Sequence, residues 1–201
     1  NHVAVSVTYK VADEIGKLGD NISYLRGQIS GDKIFQTLAR ANTIFDTVSA
    51  HTPWASVGAI TEPNCHPVDN KTANHTDDDR AIIHTCLNGD IDNFQELKQE
   101  LERSGMLIHK DVTTDTKIIP LQIEKYVSQG HAIEEAFRMA VESFEGSHAI
   151  SMHTDLAPGR IFLAQKGSGQ AIFVGLADEH YMPTSEVYGF VEETPRYLKL
   201  D

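Results

Sequence analysis

The stretch AIIHTCLNGDIDNFQEL, residues 81–97, joins an apolar run to a helical pattern through an Asn-Gly pair. The run AIIHTCL predicts a buried strand. Asn-Gly after such a run usually opens a β-hairpin, because both residues tolerate the left-handed backbone of a tight turn. Here Asp90 and Asp92 follow instead, and Phe94 and Leu97 then recur at helical spacing. An Asn-Gly pair at a strand-to-helix junction suggests that its backbone has a task beyond the turn.

Length, composition and charge limit the possible classes of protein. The chain has 201 residues, of which 40% are hydrophobic and 23% charged, as in soluble globular domains. This length fits one large domain or a tight pair, with a sizeable core. The net charge of -12 argues against nucleic acid as a partner, because such binding needs Lys and Arg to neutralise phosphates. No apolar run approaches the roughly 20 residues of a membrane span, and no signal peptide is visible, so we expect no membrane partner.

Cysteine and histidine usage predicts neither disulfides nor a metal site. Cys65 and Cys86 are too few to staple a domain of this size, which indicates a reducing, cytoplasmic setting. The ten histidines form no HExxH motif, and Cys65-His66 is a bare pair without zinc spacing. KGSGQ at 166–170 completes neither glycine pattern for phosphate, so a turn is predicted there. We therefore expect no metal and no cofactor.

The order of predicted elements is strands, then helices, then strands, which is typical of an α+β architecture of sheets covered by helices. Helices are predicted over 32–44, 92–105, 116–129 and 132–146, with shorter helices and turns in 9–29. Strands are predicted over 2–9, 47–60, 80–87, 106–112, 147–154, 160–166, 170–176, 179–186 and 195–201. Residues 61–80 are predicted to be a polar loop, Asp92 an N-cap, and Pro120 part of a first helical turn.

Four short motifs carry the functional information. They are HTPWASVG (51–58), NCHP (64–67), LNGDIDNFQEL (87–97) and TTDTK (113–117). Each has an ordinary structural interpretation when taken alone: Trp54 as a core residue, Asn-Gly as a turn, and Asp115 as a helix cap.

Together and in this order, the motifs resemble the class II glutamine amidotransferases. The resemblance is strongest to the glutaminase domain of glutamine–fructose-6-phosphate aminotransferase (glucosamine-6-phosphate synthase). In that family HTRWATHG is followed by N-x-HP, HNGIIENYEEL, TDTE, RGAYAI and RSGSPLVIGL. FEGSHAI (144–150) is similar to RGAYAI, and KGSGQAIFVGL (166–176) to RSGSPLVIGL. The likeness runs from about Ala50 to the C-terminus.

The resemblance implies an N-terminal-nucleophile hydrolase-like fold, a four-layer αββα sandwich of two antiparallel sheets. It implies that the Asn88 side chain and the Gly89 backbone N–H form an oxyanion hole, which would explain the Asn-Gly pair. It also implies that Asp115 holds the α-amino group of L-glutamine, and that Trp54 and Ser56 line the substrate pocket. Ammonia would pass to sugar-isomerase-like domains in the same longer protein, and homo-oligomerisation stays open.

Two departures from the family pattern bear on activity. Family members begin at a catalytic cysteine, whereas this chain begins at Asn1, so we expect residues 1–201 to be an N-terminally incomplete glutaminase-like domain without its first strand and helix. Neither thiol is a good substitute, because Cys86 lies inside the predicted strand, although His66 would increase the reactivity of Cys65. Pro53 stands where the family has an arginine that clamps the α-carboxylate of glutamine.

Three hypotheses follow. In the first, which we favour, the chain is the glutamine-hydrolysing domain of an amidotransferase, with the cysteine supplied by residues absent here and the ammonia acceptor a sugar phosphate. In the second, it is a degenerate, non-catalytic domain with a regulatory or assembly role, as Pro53 suggests. In the third, it is an unrelated acidic interaction domain. We expect no glutamine hydrolysis by residues 1–201 alone, and a Met-Cys-Gly start upstream of Asn1 would favour the first hypothesis.

Overall fold

The computed structural model of the protein describes residues 5–12, 19–41, 47–52, 61–72 and 81–200. Within these residues, no helix is both long enough and apolar enough to cross a membrane.

Five α-helices form in the described chain. They are α1 (Asp20–Gly31), α2 (Lys33–Arg40), α3 (Phe94–Arg103), α4 (Ile118–Ser128) and α5 (Ile133–Ser143). The carboxylate of Asp32 accepts hydrogen bonds from the backbone N–H groups of Ile34 and Phe35, and thereby caps α2. Pro120 lies in the first turn of α4, as predicted, where its missing N–H costs no helical hydrogen bond.

Seven strands form two antiparallel sheets. The strands are β1 (Val68–Asp69), β2 (Ile83–Gly89), β3 (His148–Thr154), β4 (Phe162–Lys166), β5 (Phe173–Leu176), β6 (Tyr181–Thr184) and β7 (Tyr197–Lys199). The first sheet has the order β1-β2-β3-β4 and the second the order β6-β5-β7. The predicted α+β class with two antiparallel sheets is confirmed.

The core lies between the first sheet and three helices. In the register of β2 and β3, Leu87 lies opposite Ile150, so both side chains point to the same face of the sheet. On that face α4 packs against β2 and α5 against β4, while α3 packs against α4. The predicted buried side of α5 is confirmed, with Val141 only half-buried, and its buried members are Ile133, Ala136, Phe137, Ala140 and Phe144.

Three predicted strands do not form in the described residues. Residues 5–9 pair with no strand, and Val5 and Val7 stay exposed in spite of their alternation. Residues 106–112 end in a turn in which Val112 N donates to His109 O, and Leu107 is exposed. Residues 47–52 form no strand either, and 53–60 lie outside the described residues. Apolar alternation predicts a strand only where a sheet edge is within reach.

Residues 61–72, the described part of the predicted polar loop, contain buried residues and a short strand. Asn64, Cys65, Asp69 and Asn70 are buried, and β1 forms within this segment. The predicted N-cap is also wrong: Asn93 takes that position at α3, and no side chain caps the helix.

Candidate active site

A cavity of about 530 Å³ opens between the two sheets, on the face of the first sheet that turns away from the helices. Cys86 and Asn88 of β2 contribute to it, with Ser151 of β3. Their side chains lie on the face opposite to Leu87, because neighbouring residues of a strand alternate between faces. Pro183 and Thr184 of β6 form part of the opposite wall. Three predicted site residues, Asn88, Gly89 and Asp115, line this one cavity.

Asn88 and Gly89 place two hydrogen-bond donors at the end of β2. Asn88 is exposed at the cavity, and its side chain makes no hydrogen bond within the part of the chain that the structure describes. Asp90 N donates to Ser147 O at 3.1 Å. Because hydrogen-bonded pairs alternate along an antiparallel ladder, the N–H of Gly89 points away from β3. Both donors are therefore available to a ligand in the cavity.

Only glycine fits at position 89. Its φ of +106° lies in the region that other residues rarely adopt. A Cβ atom there would lie 2.1 Å from the backbone oxygen of Ser147. The Asn-Gly pair thus serves both a turn and a close approach of the backbone to β3.

Asp115 ties the TTDTK motif to the loop after Gly89. Its Oδ2 accepts a hydrogen bond from the backbone N–H of Ile91 at 2.9 Å. Asp115 is buried, and burial together with the negative charge of Asp90 raises the pKa of its carboxyl, although hydrogen bonds from Ile91 and Thr116 partly oppose this. Asp115 does not cap α4, which begins after the 3-10 turn Asp115–Lys117.

Asn64 of the NCHP motif supports the turn that carries Asp115. Its Oδ1 accepts hydrogen bonds from the backbone N–H groups of Thr113, at 2.9 Å, and Thr114, at 3.2 Å. Its Nδ2 donates to the hydroxyl oxygens of Thr61 and Thr113. One buried amide therefore holds two separate segments together at the cavity.

Two histidines at the cavity are kept neutral. The rings of His51 and His66 lie 4.3 Å apart, and His66 Nε2 lies 2.8 Å from the hydroxyl oxygen of Thr116. Burial lowers the pKa of both rings, and that of His66 falls to about 3, with the neighbouring His51 and Lys10 adding to the effect. Neither ring contributes positive charge to the cavity at neutral pH.

Cys86 is buried, as predicted, and Cys65 is buried as well. Both cysteines are free, and burial raises the pKa of each thiol. A raised pKa keeps the thiol protonated and therefore weakly nucleophilic. Among the described residues, no three or more His, Cys, Asp or Glu side chains are grouped so that they could hold a metal ion.

The sequence reasoning did not select every residue at the cavity. Trp54 and Ser56, predicted to line the pocket, lie outside the described residues, as does Pro53. The sequence patterns predict no function for Thr116, treat His66 only as a neighbour of Cys65, and place Asp90 only at the start of a helix. These three residues lie in the motifs NCHP, LNGD and TTDT, and each motif brings one of them to the cavity. Their position in the motifs is the signal by which they could have been found.

Two solved structures share the fold of this chain. Glutamine phosphoribosylpyrophosphate amidotransferase from B. subtilis superposes with a TM-score of 0.57 at 20% identity, over 74% of this chain and 29% of that one. A structure described as the allosteric regulatory enzyme of purine biosynthesis gives a TM-score of 0.55 at 21% identity, over 69% of this chain and 28% of that one. The fold is that of the N-terminal-nucleophile amidotransferases.

Sequence comparisons identify the family. The family model described as "Glutamine amidotransferase domain" matches residues 70–191. Glutamine–fructose-6-phosphate aminotransferase (isomerizing) of Methanothermobacter thermautotrophicus is 36% identical over 154 residues, which is 76% of this chain and 24% of that protein. The enzyme of the same name from Thermococcus kodakarensis is 28% identical over 193 residues, 96% of this chain and 30% of that protein. The chain belongs to the glutamine amidotransferase domain family, and the hypothesis of an unrelated interaction domain is wrong.

Proposed function

We propose that the cavity binds L-glutamine, and that this domain releases its amide nitrogen as ammonia for transfer to a sugar phosphate. The observation that carries the proposal is that Asn88, Gly89 and Asp115 line one cavity. These are the residues that the family resemblance assigns to the reaction, and the chain brings them together from segments that are far apart in sequence.

Asn88 and Gly89 would act on the amide end of the substrate. Attack on the glutamine amide produces a tetrahedral intermediate whose oxygen carries negative charge. Two donors fixed at that position, the Asn88 amide and the Gly89 N–H, would each stabilise the charge by roughly 3–4 kcal/mol. Burial raises the pKa of the Cys65 and Cys86 thiols, which makes each a poor source of the attacking thiolate. The described residues thus account for substrate binding and charge stabilisation and not for the attack.

Asp115 would act on the amino end of the substrate. Its carboxylate needs a cation beside it, because burial and Asp90 together raise its pKa. The α-ammonium group of glutamine would favour the charged form again, so binding and ionisation support each other. Trp54 and Ser56 complete the proposed pocket on the strength of the family resemblance.

The acceptor and the setting are also proposals. The aminotransferase relatives carry fructose 6-phosphate in their name, and this chain spans about a quarter of the length of the Methanothermobacter relative. We assign acceptor binding to sugar-isomerase-like domains of a longer protein. Two free thiols fit a reducing cytoplasm, and a net charge of -12 fits a protein without nucleic-acid partners.

Titration of the chain with L-glutamine in a calorimeter tests the proposal. We expect binding with a Kd of about 1 mM or tighter. Asp115→Asn should weaken it about tenfold or more, because a hydrogen bond to a charged group contributes roughly 1.5–3 kcal/mol. Asp111→Asn is the matched control, since Asp111 is exposed on the nearby turn, and its affinity should equal that of the wild type.

The same titration decides between the amidotransferase and the degenerate domain. Absence of heat at about 1 mM glutamine in the wild-type chain would support the degenerate domain, in which Pro53 has removed the clamp for the α-carboxylate. Equal affinity in the wild type and Asp115→Asn would remove Asp115 from the site.

A further inference from the structure

A chain of polar contacts leads from His66 to Asp115 along the wall of the cavity. His66 Nε2 lies 2.8 Å from the hydroxyl oxygen of Thr116. The Thr116 hydroxyl lies 3.5 Å from Asp115 Oδ1, and the Thr114 hydroxyl lies within reach of both, at 3.2 Å from Thr116 Oγ1 and 3.4 Å from Asp115 Oδ1. All four residues line the cavity.

The direction of this chain follows from what each group can donate. An ionised carboxylate only accepts hydrogen bonds, so the Thr116 hydroxyl donates to Asp115. The Thr116 oxygen then accepts from the Nε2–H of His66. The neutral ring carries one proton, and placing it on Nε2 leaves the buried Nδ1 as an acceptor without a partner among the described residues. An unpaired buried acceptor is more tolerable than an unpaired donor.

The chain holds the second oxygen of the Asp115 carboxylate. Its Oδ2 is already fixed by the backbone N–H of Ile91 at 2.9 Å. Its Oδ1 lies within reach of the Thr114 and Thr116 hydroxyls, so the Thr116 hydroxyl, which His66 contacts in turn, is one of the groups that restrain this second oxygen. A carboxylate fixed at both oxygens presents its charge to a ligand in one orientation, at a lower entropy cost on binding.

We propose that His66 is a positioning residue, which fixes the Asp115 carboxylate through the hydroxyl of Thr116 in the orientation that receives the α-ammonium group of the substrate. The inference rests on the proposed function of Asp115. In this inference His66 of the NCHP motif and Thr116 of the TTDT motif act together to orient the Asp115 carboxylate. His66 does not touch the reacting amide in this arrangement.

Asp90, His66 and Lys117 are titratable groups of the described chain that lie near the Asp115 carboxylate. Asp90, at the end of β2, repels it, and His66 is neutral at the pH of the experiment below. Lys117 follows in the same turn, but its Nζ donates to the backbone oxygens of Asp69 and Thr72 and lies turned away from the cavity. Loss of the Thr116 donor would therefore raise the pKa of Asp115 further, because a hydrogen bond to the carboxylate favours its charged form.

The pH dependence of glutamine affinity distinguishes positioning from general structural damage. Glutamine binding needs the ionised Asp115, so affinity falls as the pH drops through the pKa of this carboxyl. Thr116→Val removes the hydroxyl at nearly constant volume. We expect it to weaken binding about tenfold at pH 7 and to move the loss of binding to higher pH than in the wild type. Free glutamine keeps one charge state between about pH 4.5 and pH 7.

Rescue and a second variant complete the design. Thr116→Ser restores the hydroxyl and should bind glutamine with an affinity and a pH profile close to those of the wild type. His66→Gln retains a donor near the position of Nε2, whereas His66→Leu removes it and should behave as Thr116→Val does. Circular dichroism at each pH verifies that every variant is folded, and His66→Leu replaces Thr116→Val if the latter does not fold.

The outcomes separate this inference from the proposed function. If the wild type binds glutamine and Asp115→Asn does not, the proposed function stands. Wild-type affinity and an unshifted pH profile in Thr116→Val would then overturn the positioning role alone. Equal loss in Thr116→Val and Thr116→Ser would overturn it as well, because the hydroxyl would not be the cause. Absence of binding in the wild type removes the proposed function, and the inference with it.

Discussion

The two sheets of the sandwich differ sharply in burial. In the first sheet every residue of β2 from Ile83 to Leu87 is buried, and Ile150 and Met152 of β3 are completely so. In the second sheet Gly175 is the only buried residue of β5, β6 and β7, and all of β7 is exposed. The first sheet has helices on one face and the cavity on the other, whereas the second sheet mainly closes the cavity.

This difference teaches where stability and function lie in the molecule. The donors at the end of β2 directly follow its buried residues Ile83–Leu87, and the turn that carries Asp115 is itself buried, so packing holds the segments that position both. The second sheet contributes a wall, which includes Pro183 and Thr184, with little burial of its own. We expect mutations in the first sheet to change stability, and mutations on the exposed side of the second sheet to change it little.

The largest effect should come from matched truncations in the two sheets. Ile83→Ala in β2 leaves a cavity in the core and should lower the free energy of unfolding by about 2–5 kcal/mol. Leu198→Ala in β7 removes a side chain that is 59% exposed and should change it by about 0.5 kcal/mol or less. Urea denaturation followed by circular dichroism measures both values. Similar costs for the two variants would contradict the comparison between the sheets.

A buried lysine that contacts the first sheet should make the free energy of unfolding depend on pH. Lys117 is 1% exposed, and its Nζ donates to Asp69 O at 2.6 Å and Thr72 O at 2.9 Å. Burial lowers the pKa of Lys117 from 10.5 to about 8. Between these values the unfolded chain binds more protons than the folded protein, so this group makes stability rise with pH.

Lys117→Met removes that dependence. We compare the free energy of unfolding of the wild type with that of this variant. The difference should rise by about 3 kcal/mol as the pH increases from the pKa of Lys117 in the folded protein to its pKa in the unfolded chain. Urea titrations at several alkaline pH values measure the difference. Lys199→Met is the control in the second sheet, because Lys199 is exposed. The free energy of unfolding of the wild type relative to Lys199→Met should not change with pH. If it rises by the same amount, burial of Lys117 is not the cause.

A smaller effect should follow from removing the amide that supports the Asp115 turn. Asn64→Ala leaves the N–H groups of Thr113 and Thr114 without their acceptor, and should cost about 1–3 kcal/mol of stability. It should also weaken glutamine binding, because Asp115 lies on the segment that Asn64 holds. Denaturation and calorimetry measure the two effects.

The matched position beside the second sheet is Thr194, a buried residue before β7 whose hydroxyl donates to Leu176 O of β5 at 2.9 Å. Thr194→Ala should cost about 1 kcal/mol and leave glutamine affinity unchanged. Weaker glutamine binding in Thr194→Ala would show that the second sheet also positions the site.

Sequence patterns predicted the elements that depend on local spacing. Apolar periodicity and turn residues predicted the strand and helix of residues 81–97, the buried side of α5 and every strand of the two sheets except β1, which lies in the predicted polar loop. The same reasoning failed for residues 5–9 and 106–112, where a strand-like sequence has no sheet edge to pair with in the described structure. It also missed the burial of Asp69 and Lys117. The hydrogen-bond partners that allow Lys117 to be buried lie far from it in the sequence, so no local pattern reveals them.

The amino-acid sequence by itself determined the family, the α+β class and three residues that gather at the cavity, Asn88, Gly89 and Asp115. Their mutual arrangement was decided only by the tertiary structure. The bond from Ile91 to Asp115 joins residues 24 positions apart, and the contact between His66 and Thr116 joins residues 50 positions apart. Such contacts form only after the chain between them has been ordered by burial of the core, which no local pattern encodes.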